Sequence, residues 1–125
     1  MGIFVARRTV QELAKVGIKA VGTWIFVLGV TFKENCPEVR NSRVPDIIKK
    51  LTKYGCEVVV HDPYCDTKEA QAKYGMRLVK NLETLGKVPA ILIAVANQYY
   101  RDWDISNWQE RLDEKGVVID VKAIA

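Results

Sequence analysis

The segment Ala90-Ile-Leu-Ile-Ala-Val-Ala96 admits few folds. A run with no polar side chain cannot form a strand with one wet face. It is also shorter than the roughly 10–12 residues of a buried helix or the roughly 20 of a membrane span. It therefore reads as a strand buried on both faces. Two further runs, TWIFVLGV from Thr23 and EVVVHDP from Glu57, share its character. Strands covered on both sides belong to parallel sheets.

The intervening segments carry the helical period. Val44, Ile47, Ile48 and Leu51 recur along a helix that Ser42 can cap, that tolerates Pro45 in its first turn, and that runs to about Tyr54 before Gly55. From Ile3 to about Val16, the residues Val5, Val10, Leu13 and Val16 share a face, with Arg7, Arg8, Gln11 and Lys15 off it. Further helices are expected from about Asp66 to Tyr74, at LETLG after the capping residue Asn81, and over DISNWQERLDEKG up to Gly116. MRLV and VVIDV complete the strands.

This alternation predicts an α/β fold: a three-layer, Rossmann-like, doubly wound parallel sheet of about five strands in the order 3-2-1-4-5, preceded by an N-terminal helix. In that order the topological switch point lies between the first and fourth strands. Ligands bind beyond the carboxyl ends of such strands, which nominates Thr31 to Arg40, Ala96 to Tyr99, and Lys122 after the last strand.

A chain of 125 residues that is 49% hydrophobic can build one domain with a sizeable core. The charge of +4 is spread among acidic residues, and no lysine-arginine run exceeds two, so a local anion site explains it better than nucleic acid does. The three cysteines, Cys36, Cys56 and Cys65, are odd in number and widely spaced, which suits neither a disulfide framework nor a zinc site. Without a spanning segment, and with its charges after its apolar residues at the N-terminus, the chain is expected to be soluble and cytoplasmic, with no membrane partner.

After the first strand, Gly29 stands alone where a dinucleotide fingerprint needs three glycines to admit the pyrophosphate. Recognition by side chains is the alternative: Lys33 as a compact cation and Arg40 as a planar fork suited to phosphate. On spacing alone, both also fit solvated surface charges beside Glu34 and Glu38. Asp62 reads as an Asp-Pro turn in preference to a ribose ligand, and His61 as a strand-end residue. Cys36 lacks an evident base and reads as a small loop residue rather than a nucleophile. Trp24, Trp103 and Trp108 read as packing residues, while Tyr99, Tyr100 and Trp103 follow the fourth strand where they can wall a ligand pocket.

The ordered motifs GVTFKENCPEVRNSRVPDIIKKL, YGCEVVVHDPY, ILIAVANQYY and VVIDVKAIA resemble the C-terminal nucleotide-binding domain of the UDP-glucose/GDP-mannose dehydrogenase family. FKENCPEVRNS is most similar to the branch that oxidises UDP-N-acetylhexosamines. The resemblance implies a UDP-sugar substrate bound by Phe32, Lys33, Asn97 and Lys122. It also implies NAD as cofactor, bound mainly by an N-terminal domain and reached from this one by Arg40, and a homodimer or higher homo-oligomer of the full-length enzyme. It implies no catalytic residue in this chain, since Cys36 does not match the family's catalytic cysteine. Residues 1–20 then correspond to a linker helix from a middle domain, with a partly bare apolar face, and residues 21–125 to the nucleotide-sugar (UDP)-binding domain. Two positions depart from the family: Lys122 lacks the fork of the usual arginine, and Asn97 replaces a frequent histidine. A stand-alone nucleotide-binding regulatory module is the alternative function. A phosphotransfer receiver is disfavoured, because the first strand ends in Gly29 and Val30 with no acidic pocket.

Overall fold

A computed structural model describes residues 2–29, 44–62, 68, 78–79, 86–95 and 98–120. The elements are α1 (Gly2–Lys15), β1 (Trp24–Leu28), α2 (Val44–Lys53), β2 (Glu57–His61), β3 (Val88–Ile93), α3 (Gln98–Arg101), α4 (Ile105–Arg111) and β4 (Leu112–Asp120). The four strands form a sheet in the order β2-β1-β3-β4, parallel at each pairing. Leu78 adds a parallel bridge to Val60 on the free edge of β2. With that fifth strand position included, the order is the 3-2-1-4-5 expected from the sequence. The helices expected at 66–74 and around Asn81 lie outside the described residues, apart from Lys68, which is helical.

Side-chain alternation along the strands builds two cores. Ile25, Val27, Val58, Val60, Ala90, Leu92 and Ile119 point to one face and pack with α1 and α2. Phe26, Leu28, Val59 and Ile91 point to the other, where Tyr100, Trp103 and Trp108 cover them. This is why β1 and β3 carry no polar side chain. On α2 the buried residues are Val44, Ile47 and Leu51, one stripe of the helix, with Lys49 and Lys53 in solvent.

The buried stripe of α1 is turned slightly from the expected one. It comprises Val5, Ala6, Thr9 and Leu13, all fully buried, while Val16 is exposed. Thr9 tolerates burial because its hydroxyl donates to the Val5 carbonyl at 2.9 Å. Of the face expected to be partly bare, Val5 and Leu13 are buried within the chain, Val10 is half-buried and Val16 stays exposed.

The segment read as one helix up to Gly116 divides. Asp104 caps α4 through a capping box: its carboxylate accepts from the Asn107 amide, and the Asn107 side chain accepts from the Asp104 amide, each at 3.0 Å. The helix stops at Arg111 because Leu112 turns to extended backbone and pairs with Val88. The next pair is Ala90 with Val117, so the intervening residues of β4 bulge out of register. A Cβ on Gly116 would come within 2.5 Å of Leu112 Cγ. That glycine closes the bulge onto Leu112 rather than ending a helix.

Asp104 provides a pH prediction. Its hydrogen bond from Ser106, and then that from the Asn107 amide, hold its carboxyl pKa below the ordinary aspartate value. A depressed folded-state pKa means that the stabilisation is fully present above the unfolded value and is lost as pH falls through the folded one. A carbon-detected NMR titration should find the Asp104 midpoint below that of an aspartate in an unstructured peptide. A midpoint at or above the peptide value would remove the cap as a source of acid-sensitive stability.

Candidate functional site

The carboxyl ends of β1, β2 and β3 are tied together. The Leu28 carbonyl accepts from the amides of Ala94 at 2.9 Å and Val95 at 3.1 Å, and the Gly29 amide donates to the His61 carbonyl at 2.7 Å. Gly29 has φ +92°, and a Cβ placed on it would lie 2.5 Å from Val95 Cβ, 2.8 Å from Val95 O and 2.9 Å from Val95 N. The lone glycine therefore serves a contact between the two strand ends that flank the switch point. The space that a side chain on Gly29 would need is occupied by Val95.

His61 closes the β2 side. Its ring is buried, and Nδ1 lies 2.7 Å from the Tyr100 hydroxyl, which itself donates to the His61 carbonyl at 2.7 Å. That carbonyl thus receives both Gly29 and Tyr100. Around the pair, Tyr99 lies 5.5 Å from both the His61 and Tyr100 rings and 5.9 Å from Trp103. Trp103 packs edgewise on Tyr100 at 5.3 Å and Trp108 at 4.8 Å, and the Arg111 guanidinium sits 4.5 Å from a Trp103 ring centroid. Tyr99 remains 44% exposed, so it borders the site while Tyr100 forms its floor.

Phe32, Lys33, Arg40, Asn97 and Lys122, together with Cys36 and Cys65, lie outside the described residues. What the structure describes is the framework from which their segments depart: Gly29, Val95 and Asp120, the last paired with Ile93 at the end of β4. Asp62 is buried directly after β2. Cys56 is a buried free thiol whose pKa is raised by desolvation, which makes it unreactive. The assignment of the tryptophans to packing holds for Trp103 and Trp108, but Trp24 is 44% exposed at the start of β1. Sequence reasoning missed the Gly29–Val95 contact, the His61–Tyr100 pair and the Arg111–Trp103 stack. None of the three had a local signal, since each joins residues that the sequence holds at least eight positions apart. Among the described residues no cluster of three metal-ligating side chains occurs, and no helix is long and apolar enough to cross a membrane.

The model of the UDP binding domain of the UDP-glucose/GDP-mannose dehydrogenase family matches residues 26–125. The chain belongs to this family. It is 34% identical over 124 residues to the UDP-N-acetyl-D-glucosamine 6-dehydrogenase of Salmonella typhi, and 36% identical over 124 residues to Protein CapL of Staphylococcus aureus. Each alignment covers 99% of this chain and 29% of the relative, so the UDP-binding domain spans under a third of the curated relatives' length. Among solved structures it is similar to a UDP-glucose dehydrogenase from Pyrobaculum islandicum, with a TM-score of 0.68, 30% identity and coverage of 94% of this chain and 26% of that one. The family match begins inside β1, whereas the two curated relatives align over nearly the whole chain. The α1 segment is therefore shared with them.

Proposed function

We propose that this chain is the nucleotide-sugar-holding domain of an NAD-dependent UDP-sugar 6-dehydrogenase, which oxidises the C6 alcohol of a UDP-hexose or UDP-N-acetylhexosamine to the carboxylate for surface polysaccharide. The relatives named as 6-dehydrogenases support this reading, as does the family's UDP-binding role. Residues 1–20 lead in from the additional length that the relatives carry, and residues 21–125 form the UDP-binding unit. The chain has no catalytic role alone. The enzyme is cytoplasmic and a homo-oligomer.

The observation that carries the site is the closure of Gly29 on Val95. The segments holding Phe32 and Lys33 on one side, and Asn97 on the other, leave from these two touching residues. At no more than about 3.6 Å per residue, Lys33 stays within roughly 15 Å of Gly29, and Asn97 within roughly 7 Å of Val95. A UDP-sugar bridging these segments would have its pyrophosphate neutralised by Lys33 and Lys122, with Phe32 and Asn97 against the sugar. Arg40 would reach the NAD phosphates from this side. The rest of NAD would belong to the remainder of the enzyme, which would also carry the hydride chemistry. This domain's contribution is orientation and charge neutralisation.

An amide chemical-shift titration with UDP-N-acetylglucosamine, and with UDP and GDP-mannose as controls, tests the reading. Shifts should cluster at Phe32, Lys33, Asn97 and Lys122 and be stronger for the uridine ligands. Lys33→Ala should weaken UDP binding by about 10- to 100-fold, the loss of a charge-assisted contact. Absence of shifts at millimolar ligand, or equal shifts with GDP-mannose, would overturn the UDP assignment.

A further inference from the structure

We propose that Tyr100 and His61 are positioning residues for the nucleotide, tying α3 to the carboxyl end of β2. The inference rests on the UDP-sugar reading of the site, because Asn97 directly precedes α3 in the chain.

Two anchors flank Asn97 in the chain. Before it, the Val95 amide is bonded to the Leu28 carbonyl at the end of β1; after it, the Tyr100 hydroxyl is bonded to the His61 carbonyl at the end of β2. Both anchors stand within three residues of Asn97 in the sequence. The Tyr100 ring alone would meet a packing role, since it is 3% exposed against Trp103 and the Phe26 core. Phenylalanine would fill that space. Burying a hydroxyl is favourable only when partners are supplied, and here His61 supplies two, from a strand that is not a neighbour of β3. Tyr100 thereby spans the end of β1.

Proton inventory then assigns the histidine. The Tyr100 hydroxyl carries one proton, which goes to the His61 carbonyl. Nδ1, 2.7 Å from the same oxygen, must therefore be the donor in that contact. Neutral His61 is the Nδ1–H tautomer, its orientation set by Tyr100. The same carbonyl accepts the Gly29 amide, so the pair couples the root of the Lys33 segment to that of the Asn97 segment.

The test uses the 125-residue chain with Tyr100→Phe, His61→Leu and His61→Asn, the last putting an amide N–H in place of Nδ1–H. Well below the unfolding temperature, Tyr100→Phe and His61→Leu should weaken UDP binding by about three- to tenfold and speed amide exchange at Gly29 and Val95 by a similar factor. His61→Asn should restore most of the affinity. Nitrogen shifts should show the neutral imidazole protonated at Nδ1. A role in stability alone would lower Tm in Tyr100→Phe and leave the UDP affinity at the wild-type value, and that result overturns the proposal, as does a neutral His61 protonated at Nε2. Should the wild-type chain show no UDP shifts, the UDP reading fails by itself. Exchange at Gly29 and Val95 then decides the tie: faster exchange in Tyr100→Phe supports it, and unchanged exchange overturns it.

Discussion

Gly29→Ala is expected to destabilise the domain by about 2–5 kcal/mol, whereas Gly22→Ala should cost about 1 kcal/mol. Both glycines have positive φ, +92° and +79°, so both substitutions carry backbone strain. They differ in surroundings. At Gly22 nothing lies within 4 Å of the added Cβ, but at Gly29 it meets Val95 Cβ, O and N at 2.5–2.9 Å. Two of those atoms are backbone, and the amide is already bonded to the Leu28 carbonyl, so no rotamer change can relieve the contact. Either β1 and β3 separate at their carboxyl ends, or the Val95 amide loses its bond. Urea unfolding of the two variants beside the wild type isolates the steric contribution as their difference. Equal costs would mean that Gly29 is needed only for its φ, and the close approach that defines the switch point would have to be abandoned. Against a total stability of about 5–15 kcal/mol, the larger cost would leave little margin.

The second large effect concerns α1. Leu13→Ala should cost about 2–5 kcal/mol, and the exposed Lys15→Ala should stay within about 0.5 kcal/mol. Leu13 is fully buried in the same cluster as Ile25, Val27 and Leu51, with Val5 and Ala6 beside it. Truncation leaves a cavity in this cluster that the surrounding side chains close only in part. Denaturant midpoints measure the cost. A loss near 2–5 kcal/mol makes α1 an integral part of the folded unit, whatever its connection to the relatives' additional length. A loss below about 1 kcal/mol would make residues 21–125 sufficient, with α1 only resting on them.

Much of the fold was legible in the chain because its signals are local. The runs at Trp24–Leu28, Glu57–His61 and Val88–Ile93 are too apolar for a wet face, and the structure buries them on both. Strand order followed from handedness and alternation, and the pairings agree with it. Local signals also misled. Trp108 and Arg111 continue a helical pattern into Leu112, and nothing nearby announces that Leu112 will pair with Val88. The Asp104–Asn107 capping box was present in the sequence and marks where that helix starts, though not where it stops.

Family and ligand class were carried by residue types at fixed intervals around the first strand and its loop, and these are properties of sequence order. The isolation of Gly29 was equally visible. What filled the space was not visible: the occupant is Val95, brought there only when β1 and β3 pair. Likewise His61 and Tyr100, 39 residues apart, look like a strand end and one aromatic among several. Their pairing exists because α3 crosses the end of β1 to reach β2. Periodicity and composition act through neighbours in the chain and so determined the layers and the sheet order. Close approach depends on where separate segments end in space, so only the tertiary structure decided that the glycine serves valine and that the histidine serves tyrosine.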